Sequence, residues 1–461
     1  MAYTEPDEYY NVEVRTTGDD LNGGCFVAER EGMTTGVDRS QADSPYLQTG
    51  VDSVTFTTVA GATDTARKSY VIANHTVSSD DVGNFVNTSV GATDVHVGMF
   101  CIESVDTGAN TWVMSQYVRD SGADAATPTS VTARMGGAWP SVCSFKEAAV
   151  LTTRMAISWV RSGTYALTTT SDNVSGGVYV GHWSQPAVFV GYESERGDNG
   201  TRPIFTTGET GLTSYMMYIQ GYRGSLVANI EFNGGSTAGN AVHFGNWQGA
   251  VALNCKAVNF DTSSGGAFQG KGTAVGCEVD GARYGYRCGA LDCVATDCSE
   301  GFYPTSYSTS IERCVAYDCT TGFYCDAGGG APRYCTADDC TTGFHVEMPA
   351  ICCIASNCGT GYTGGSASGT GLVECARYNN TTNASGMGFD SNGITCTSDP
   401  YVDQNSRDYR INTDAGGGAL LADEGCRIPG QTNYSDLGAV ITEPSGGGSS
   451  VIPARPIQIG A

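Results

Sequence analysis

The chain has 461 residues, of which 63 are glycine and only 16% are charged, and its net charge is −24. Residues that prefer turns and caps are abundant, which argues against an α-rich fold. Acidic residues outnumber basic ones by 48 to 24, so the composition argues against nucleic acid as a partner and against insertion into an anionic membrane.

The N-terminal part of the sequence divides into two predicted regions. Residues 1–49 are interpreted as an N-terminal segment that anchors the chain or caps a solenoid. Their first ten residues (MAYTEPDEYY) are polar and acidic, without the basic and apolar regions of a signal peptide. We therefore expect synthesis in a cytoplasm without export. Residues 50–135 alternate short apolar segments with turns, which predicts a small β module.

A repeat of about 21 residues dominates the sequence from 136 to 430. Its clearest copies pair two cysteines in a C-x4-C pattern and continue with Gly and then Phe or Tyr. The leading cysteines of the strong and weak copies are Cys255, Cys277, Cys293, Cys314, Cys335, Cys353 and Cys375. Short alternating segments at this period predict an all-β fold, a right-handed parallel β-helix with one repeat per rung.

Cysteine is the most informative residue type of the repeat. Fourteen of the 19 cysteines lie between Cys255 and Cys375. Because free cysteine packs as a small hydrophobe, we predict a buried structural thiol ladder. It comprises Cys293, Cys298, Cys314, Cys319, Cys335, Cys340, Cys353 and Cys358. A zinc site would need a closed tetrad, so no metal is predicted, while disulfides between rungs stay open as an alternative.

A column of acidic residues recurs at one position of the rung. Asp297, Asp318 and Asp339 precede the second cysteine of their copies, and Asn357 takes the same place in the next. The favoured interpretation is an Asx turn at a corner, which Asp and Asn can both form. Stacked carboxylates could also bind calcium or act as an acid–base pair. These three aspartates are the alternative catalytic candidates, and no catalytic residue or cofactor is otherwise predicted.

Two further motifs are candidates for function. Arg283 and Arg287 could serve a lyase as proton acceptors, but the sequence fixes no geometry for them. The tripeptide from Arg196 to Asp198 matches an integrin motif, although turn chemistry in a Gly-rich segment explains it better. Residues 431–461 are rich in Gly, Pro and Ser, which predicts an extended tail that either pairs with a neighbouring sheet edge or stays disordered.

Three stretches carry a resemblance to a known family. Residues 18–26 (GDDLNGGCF), 160–165 (VRSGTY) and 190–203 (VGYESERGDNGTRP) precede the cysteine-rich rungs. Together they resemble right-handed parallel β-helix virion proteins of tailed bacteriophages and environmental viruses, which have pectate-lyase-like architecture. The resemblance covers most of residues 11–425, and it implies a structural protein without an agreed catalytic motif, commonly homotrimeric.

From these observations we predict a non-enzymatic virion protein exposed on the particle as a fibre, spike or capsid decoration. Other virion proteins and further copies of the chain, as a homotrimer, are its expected partners, with a host surface glycan as a further candidate. Two alternatives share the same fold, which does not decide function. One is a tailspike-type polysaccharide depolymerase, a glycoside hydrolase or polysaccharide lyase, and the other is a glycan-binding receptor module.

Overall fold

The regular structure is β, which confirms the predicted fold class. Two short 3-10 helices, Ser79–Asp81 and Gly418–Leu420, lie wholly within the described ranges, and no helix there is long and apolar enough to cross a membrane. The computed structural model describes residues 9–19, 22–29, 36–58, 66–90, 98–116, 131–140, 155–167, 178–180, 187–198, 200–207, 215–219, 224–236, 239–245, 249–260, 265–304, 310–326, 329–364, 371–387, 393–404 and 408–422. The predicted tail at 431–461 lies outside these ranges.

The strands are numbered in chain order. The first are β1 Tyr9–Val14, β2 Cys25–Glu29, β3 Leu47–Thr58, β4 Ala66–Ile72, β5 Phe85–Val90, β6 Gly98–Asp106, β7 Thr111–Gln116, β8 Val131–Met135, β9 Met155–Arg161, β10 Thr164–Leu167, β11 Val178–Val180, β12 Ala187–Tyr192, β13 Ile204–Thr207, β14 Met217–Ile219, β15 Leu226–Ala228, β16 Glu231–Asn233, β17 Val242–Phe244, β18 Val251–Leu253 and β19 Lys256–Val258. They are followed by β20 Gly266–Val275, β21 Glu278–Leu291, β22 Val294–Phe302, β23 Ile311–Glu312, β24 Val315–Tyr317, β25 Thr321–Cys325, β26 Pro332–Arg333, β27 Thr336–Asp338, β28 Thr342–Val346, β29 Ala350–Ile351, β30 Ile354–Ser356, β31 Thr360–Gly364, β32 Leu372–Val373, β33 Ala376–Tyr378, β34 Thr382–Ser385, β35 Ile394–Thr395, β36 Tyr401–Asp403 and β37 Asp408–Ile411.

The chain divides into two units. Unit 1 comprises Met1–Thr170, Val180–Gly208 and Gly224–Ile230, and unit 2 comprises Ser171–Tyr179, Glu209–Arg223 and Glu231–Ala461. Unit 1 contains the predicted small β module as an antiparallel sheet that closes in the order β3-β4-β7-β6-β5-β8. Trp112 lies in its core, and the indole N–H donates to the buried Asp81 carboxylate at 2.9 Å.

Unit 1 also contains parallel strands, and the first of them comes from the N-terminal segment. Strand β1 pairs in parallel with β9, β9 with β12, and β12 with β15. On its other side β1 pairs antiparallel with β2. An unpaired strand at the end of a parallel ladder would expose backbone donors and acceptors, and β2 covers that edge of β1.

Unit 2 is a parallel β-solenoid whose rungs consist of three short strands. One rung comprises β23, β24 and β25, and these strands pair in register with β26, β27 and β28 of the next rung. A single residue in the left-handed region turns the chain at each of the first two corners, with φ near +52° at Arg313 and Asp318. The rung length is 21 residues between Val315 and its partner Thr336, as the repeat predicts.

A stack of aromatic rings fills the interior beside the third strand of each rung. Ring centroids lie 4.7 to 5.4 Å apart with planes within 11° of parallel. The stack consists of Phe268, Tyr286, Phe302, Phe323, Phe344 and Tyr362. A glycine precedes every ring from Tyr286 onward and allows this packing, because a Cβ at Gly322 would lie 2.7 Å from the carbonyl oxygen of Gly343.

The C-terminal part of the solenoid region leaves the rung pattern. Strands β36 and β37 form an antiparallel hairpin, which lies within the span predicted as β-helix. Tyr401, Tyr409 and Ile411 of this hairpin are buried in one apolar cluster with Val315 and Ile354. The second strands of these rungs are therefore covered on both faces, and the burial of every residue in β27 and β30 reflects this.

Candidate functional site

The repeated cysteines form two ladders of thiols in unit 2. The leading ladder consists of Cys255, Cys277, Cys293, Cys314, Cys335, Cys353 and Cys375, and the trailing ladder of Cys298, Cys319, Cys340 and Cys358. All are buried and free. The structure thus places all eight cysteines of the predicted thiol ladder in the interior, and it contains no disulfide between the described cysteines.

Each ladder thiol also has a polar role that the sequence did not reveal. The Sγ atom donates to the carbonyl oxygen two residues earlier, at 3.1 to 3.5 Å. The residue between them is the left-handed corner residue, as Arg313 is for Cys314. The corner leaves this inward carbonyl to be satisfied, and a weak S–H donor does so without the desolvation cost of a stronger polar group.

The trailing ladder ends at an amide instead of a thiol. Asn380 donates from Nδ2 to the Ala355 carbonyl at 2.9 Å, and its Oδ1 accepts from the backbone N–H of Cys358 at 2.8 Å. Among the described residues no group of three or more His, Cys, Asp or Glu side chains is arranged to hold a metal ion. The ladders therefore offer packing and corner hydrogen bonds, and no reactive thiol faces solvent in the described ranges.

The aspartate column lies on the outside of the second corner. Asp297, Asp318 and Asp339 have φ between 50° and 52°, as does Asn357. The three aspartates are exposed, and within the described ranges their carboxylates make no hydrogen bond, so the expected side-chain cap is not formed. Asp and Asn suit this position because they tolerate the left-handed conformation. Desolvation and the charges of Asp338 and Asp318 raise the pKa of Asp339.

The neighbouring Asp338 is the acidic residue that the sequence analysis missed. It is fully buried and accepts hydrogen bonds from Ser356 Oγ at 2.8 Å and Asn357 Nδ2 at 2.9 Å. From the C-terminal hairpin, Gln404 Nε2 donates to both carboxylate oxygens, and Tyr409 Oη donates to one at 3.1 Å. A buried carboxylate needs such donors to offset its desolvation, so Asp338 fixes the hairpin to the rungs.

The integrin-like tripeptide is used inside unit 1. Asp198 accepts from the backbone N–H groups of Glu193, Ser194 and Glu195 at 2.7 to 2.8 Å, and these bonds hold its pKa well below the usual value despite some desolvation. Arg196 pairs with the buried Glu13 at 2.8 Å and with Asp38 at 2.6 Å. Neither side chain has the free presentation that a recognition loop requires.

Buried Glu13 lies beside residues from two of the three stretches on which the family resemblance depends, 160–165 and 190–203. Tyr192 Oη donates to the Glu13 carboxylate, and Arg15 Nε does so at 2.9 Å. The Tyr165 hydroxyl donates nearby to the carbonyl of Val14 at 3.3 Å. Burial and the negative charge of Glu13 raise the pKa of both tyrosines. The 190–203 stretch therefore takes part in a buried ion cluster around Glu13, which stabilises unit 1 and is not exposed to a ligand.

A second polar array lies on the third strand of the rungs in unit 2. It is a column of outward, half-buried side chains that are neighbours from rung to rung. We call it the outer stripe, and it comprises Tyr218, His243, Gln269, Arg287, Tyr303, Tyr324 and His345. It lies on the opposite side of the strand from the aromatic stack, because side chains alternate between the two faces.

Aromatic rings occupy both ends of the outer stripe. Tyr218 stacks on His243 at 5.1 Å, and Tyr324 stacks on His345 at 4.5 Å. Tyr303 meets Tyr324 edge to face. Burial, and secondarily the charge of Arg287, lowers the pKa of His243, so this imidazole is neutral at neutral pH. The middle of the stripe is polar and is formed by side chains around Arg287.

Arg283 and Arg287 belong to this middle section and not to a lyase-like calcium site. Both guanidinium groups lie over the Tyr284 ring, at 4.9 and 4.8 Å, and Arg287 also lies 5.4 Å from the Tyr303 ring. Burial raises the pKa of the nearby Glu300, although the two arginines oppose the shift. The sequence identified the arginines but not their acidic neighbour Glu300. Only the pairing register between strands β21 and β22 brings Glu300 beside Tyr284, the ring that both arginines contact.

Comparisons of the chain with protein-family models, with curated proteins and with solved structures find no match. The fold alone therefore defines the class of the protein. It is an all-β protein with stacked parallel strands and an N-terminal antiparallel module. The likeness to β-helix virion proteins stays a prediction from the sequence.

Proposed function

We propose that the protein is a non-enzymatic structural component of a virus particle, exposed as a fibre, spike or capsid decoration. The observation that carries this proposal is the interior of unit 2, where aromatic rings and thiols repeat over successive rungs. In such a solenoid the backbone groups are bonded between neighbouring rungs, which gives stiffness without long loops. A stiff element of this kind suits a part that projects from a particle.

The chain is expected to act in this role as a homotrimer attached to other virion proteins. Its acidic charge fits a surface part that has no contact with packaged nucleic acid. The test is immunogold electron microscopy with antibodies against the purified protein, applied to gradient-purified particles from the source of the sequence. Labelling of intact particles is expected. Finding the protein in cells but not in purified particles would contradict the proposal.

The non-enzymatic part of the proposal has its own test. The purified protein is incubated with a panel of host-surface polysaccharides, and new reducing ends or unsaturated sugars are measured. We expect no release, because Asp297, Asp318 and Asp339 occupy corners that require a left-handed backbone conformation and not a carboxylate, as Asn357 at the same position illustrates. Release that disappears in the Asp318→Asn variant would establish the depolymerase alternative instead.

A further inference from the structure

The last rung of unit 2 ends in strand edges. Its strands β32, β33 and β34 pair in parallel with β29, β30 and β31 of the rung before. Strand β33 pairs onward with β35, whereas β32 and β34 have no further strand partner in the described part of the chain. Such an edge presents a row of backbone N–H and C=O groups to any strand that approaches it. No residue of β34 is buried, in contrast to Gly361 and Tyr362 of β31.

The sequence of β34 prevents a further rung of the same kind from following. Asn383 and Ala384 replace the Gly–aromatic pair of the earlier rungs, since Ala384 is the register partner of Tyr362. The glycine is needed between rungs, because a Cβ at Gly343 would lie 2.6 Å from the carbonyl oxygen of Gly361. A parallel strand stacked on β34 in the same register would press its carbonyl oxygen against the Asn383 side chain. The edge therefore suits an antiparallel strand, whose hydrogen-bond pattern differs.

The edge also lacks the features that keep exposed strands apart. Natural proteins protect such edges with charged side chains or proline, but residues 378–389 (YNNTTNASGMGF), which include β34, contain neither. In the same rung Val373 is 38% exposed and adds an apolar side chain. Charges more than about 8 Å away are largely screened at physiological ionic strength. The net charge of −24 therefore opposes association at this edge only weakly.

A second copy of the chain is the partner that this edge fits. In unit 1 the edge of β1 is already paired with the antiparallel strand β2, so a head-to-tail contact between β34 and β1 of the next copy would find its target occupied. Two copies of one strand that meet across a two-fold axis run antiparallel, which is the arrangement that Asn383 leaves open. A contact of this kind is isologous and closes after two copies.

We propose that β34 forms a two-fold interface, at which the β34 strands of two copies pair antiparallel through their backbones. The Thr382 N–H donates back to the Gly359 carbonyl at 2.9 Å. Because alternate residues of a strand bond to opposite neighbours, the backbone groups of Asn383 and Ser385 point away from β31 and form the new bonds. This interface goes beyond the proposed structural role and is additional to the expected homotrimer, since it doubles whatever assembly the chain otherwise forms.

Sedimentation equilibrium and light scattering of the intact purified chain test this interface. At physiological salt we expect twice the mass that is found for the double variant Asn383→Lys and Ser385→Lys. Both positions are exposed, so the lysines leave the fold intact, but they place like charges from both copies in the paired edge. The dissociation constant, measured by dilution, should rise about tenfold or more.

The matched control adds the same charge to rungs that are paired on both sides. Thr320 and Thr341 are exposed positions of such rungs, and the double variant Thr320→Lys and Thr341→Lys should keep the wild-type mass. Circular dichroism and thermal unfolding check that both double variants fold.

Cysteine substitution locates the contact. Every native cysteine in the described ranges is buried, so Asn383→Cys, Ala384→Cys and Ser385→Cys each add an accessible thiol at the edge. Opposite residues of antiparallel strands have Cβ atoms about 4.5–5.5 Å apart, which brings a thiol pair within reach of a disulfide. Mild oxidation should link two chains in at least one of these variants. Thr320→Cys should give no more linked dimer than the wild type.

Three results would overturn the inference. The first is a wild-type mass equal to that of the lysine double variant at 383 and 385. The second is a doubled mass that persists in this variant while no cysteine in β34 links two chains. The third is slow hydrogen exchange of β34 in a chain that does not associate, which would mean that another segment of the same chain covers the edge. None of these results depends on whether the protein resides in a virus particle.

Discussion

At the scale of single residues, two adjacent aspartates have opposite surroundings. Asp338 is fully buried and accepts hydrogen bonds from the C-terminal hairpin, whereas Asp339 is exposed at a corner. Both oxygens of the Asp338 carboxylate accept hydrogen bonds. An amide in its place would therefore turn an N–H group towards a donor such as Gln404 or Tyr409. Removing the charge of Asp339 instead relieves its repulsion by Asp338 and Asp318.

We therefore predict that Asp338→Asn lowers the free energy of unfolding by about 2–3 kcal/mol, the usual cost of disrupting hydrogen bonds to a buried charged group. The matched variant Asp339→Asn should change it by less than about 0.5 kcal/mol. Urea denaturation followed by circular dichroism gives both values, and hydrogen exchange of Tyr401–Asp403 shows whether the hairpin loosens. Equal effects of the two substitutions would contradict the role assigned to Asp338.

The corner residues make a prediction about backbone conformation. Asp318 has a φ of 52°, which β-branched residues rarely adopt. Asp318→Val should therefore destabilise the fold by about 1–2 kcal/mol, while Asp318→Asn should be close to neutral. The exposed Thr320, which lies outside the positive-φ positions, supplies the control Thr320→Val. Thermal unfolding measures the difference, and a tolerated valine at 318 would rule out the conformational explanation.

At the scale of elements, the Gly–aromatic pair of each repeat determines how rungs stack. Phe323 lies 4.7 Å from both Phe302 and Phe344 and is fully buried. Phe323→Ala should cost about 3–5 kcal/mol, because a cavity in the middle of the stack cannot collapse against rigid rungs. Chemical denaturation measures this cost. The exposed Thr341→Ala in the same unit is the control, and similar losses for both would contradict the importance of the stack.

The same elements show why the sequence predicts the interior better than the exterior. Alternation within a 21-residue period is local information, so the inward cysteines and the ring at Phe323 followed directly from the repeat. The outer side of a rung depends on segments distant in the sequence. Asp338 is buried by a hairpin some 70 residues later, and Glu300 joins Arg287 only through rung register. The sequence therefore indicated Asp339 and the arginines but gave no signal for Asp338 or Glu300.

At the scale of the whole molecule, the buried thiols make stability depend on alkaline pH. Every cysteine in the described ranges is buried and free. Desolvation raises the pKa of Cys288 and Cys325 far above the usual value, and that of Cys396 to about 11. In the unfolded chain a thiol titrates near pH 8.5. Folding therefore favours the protonated thiol, and the stability that each buried thiol contributes is fully present below about pH 8.5.

As pH rises between the unfolded and folded pKa values, each such thiol costs about 1.4 kcal/mol of stability per pH unit, and several act together. We predict that the unfolding temperature is constant between pH 7 and 8 and falls steeply from about pH 8.5 towards pH 10. Differential scanning calorimetry across this range measures the effect. Reaction with a thiol reagent is the second readout, since modification of the ladder cysteines should follow unfolding. An unfolding temperature that is unchanged up to pH 10 would contradict this prediction. It would require the thiols to ionise inside the folded protein, where an unpaired buried charge is costly.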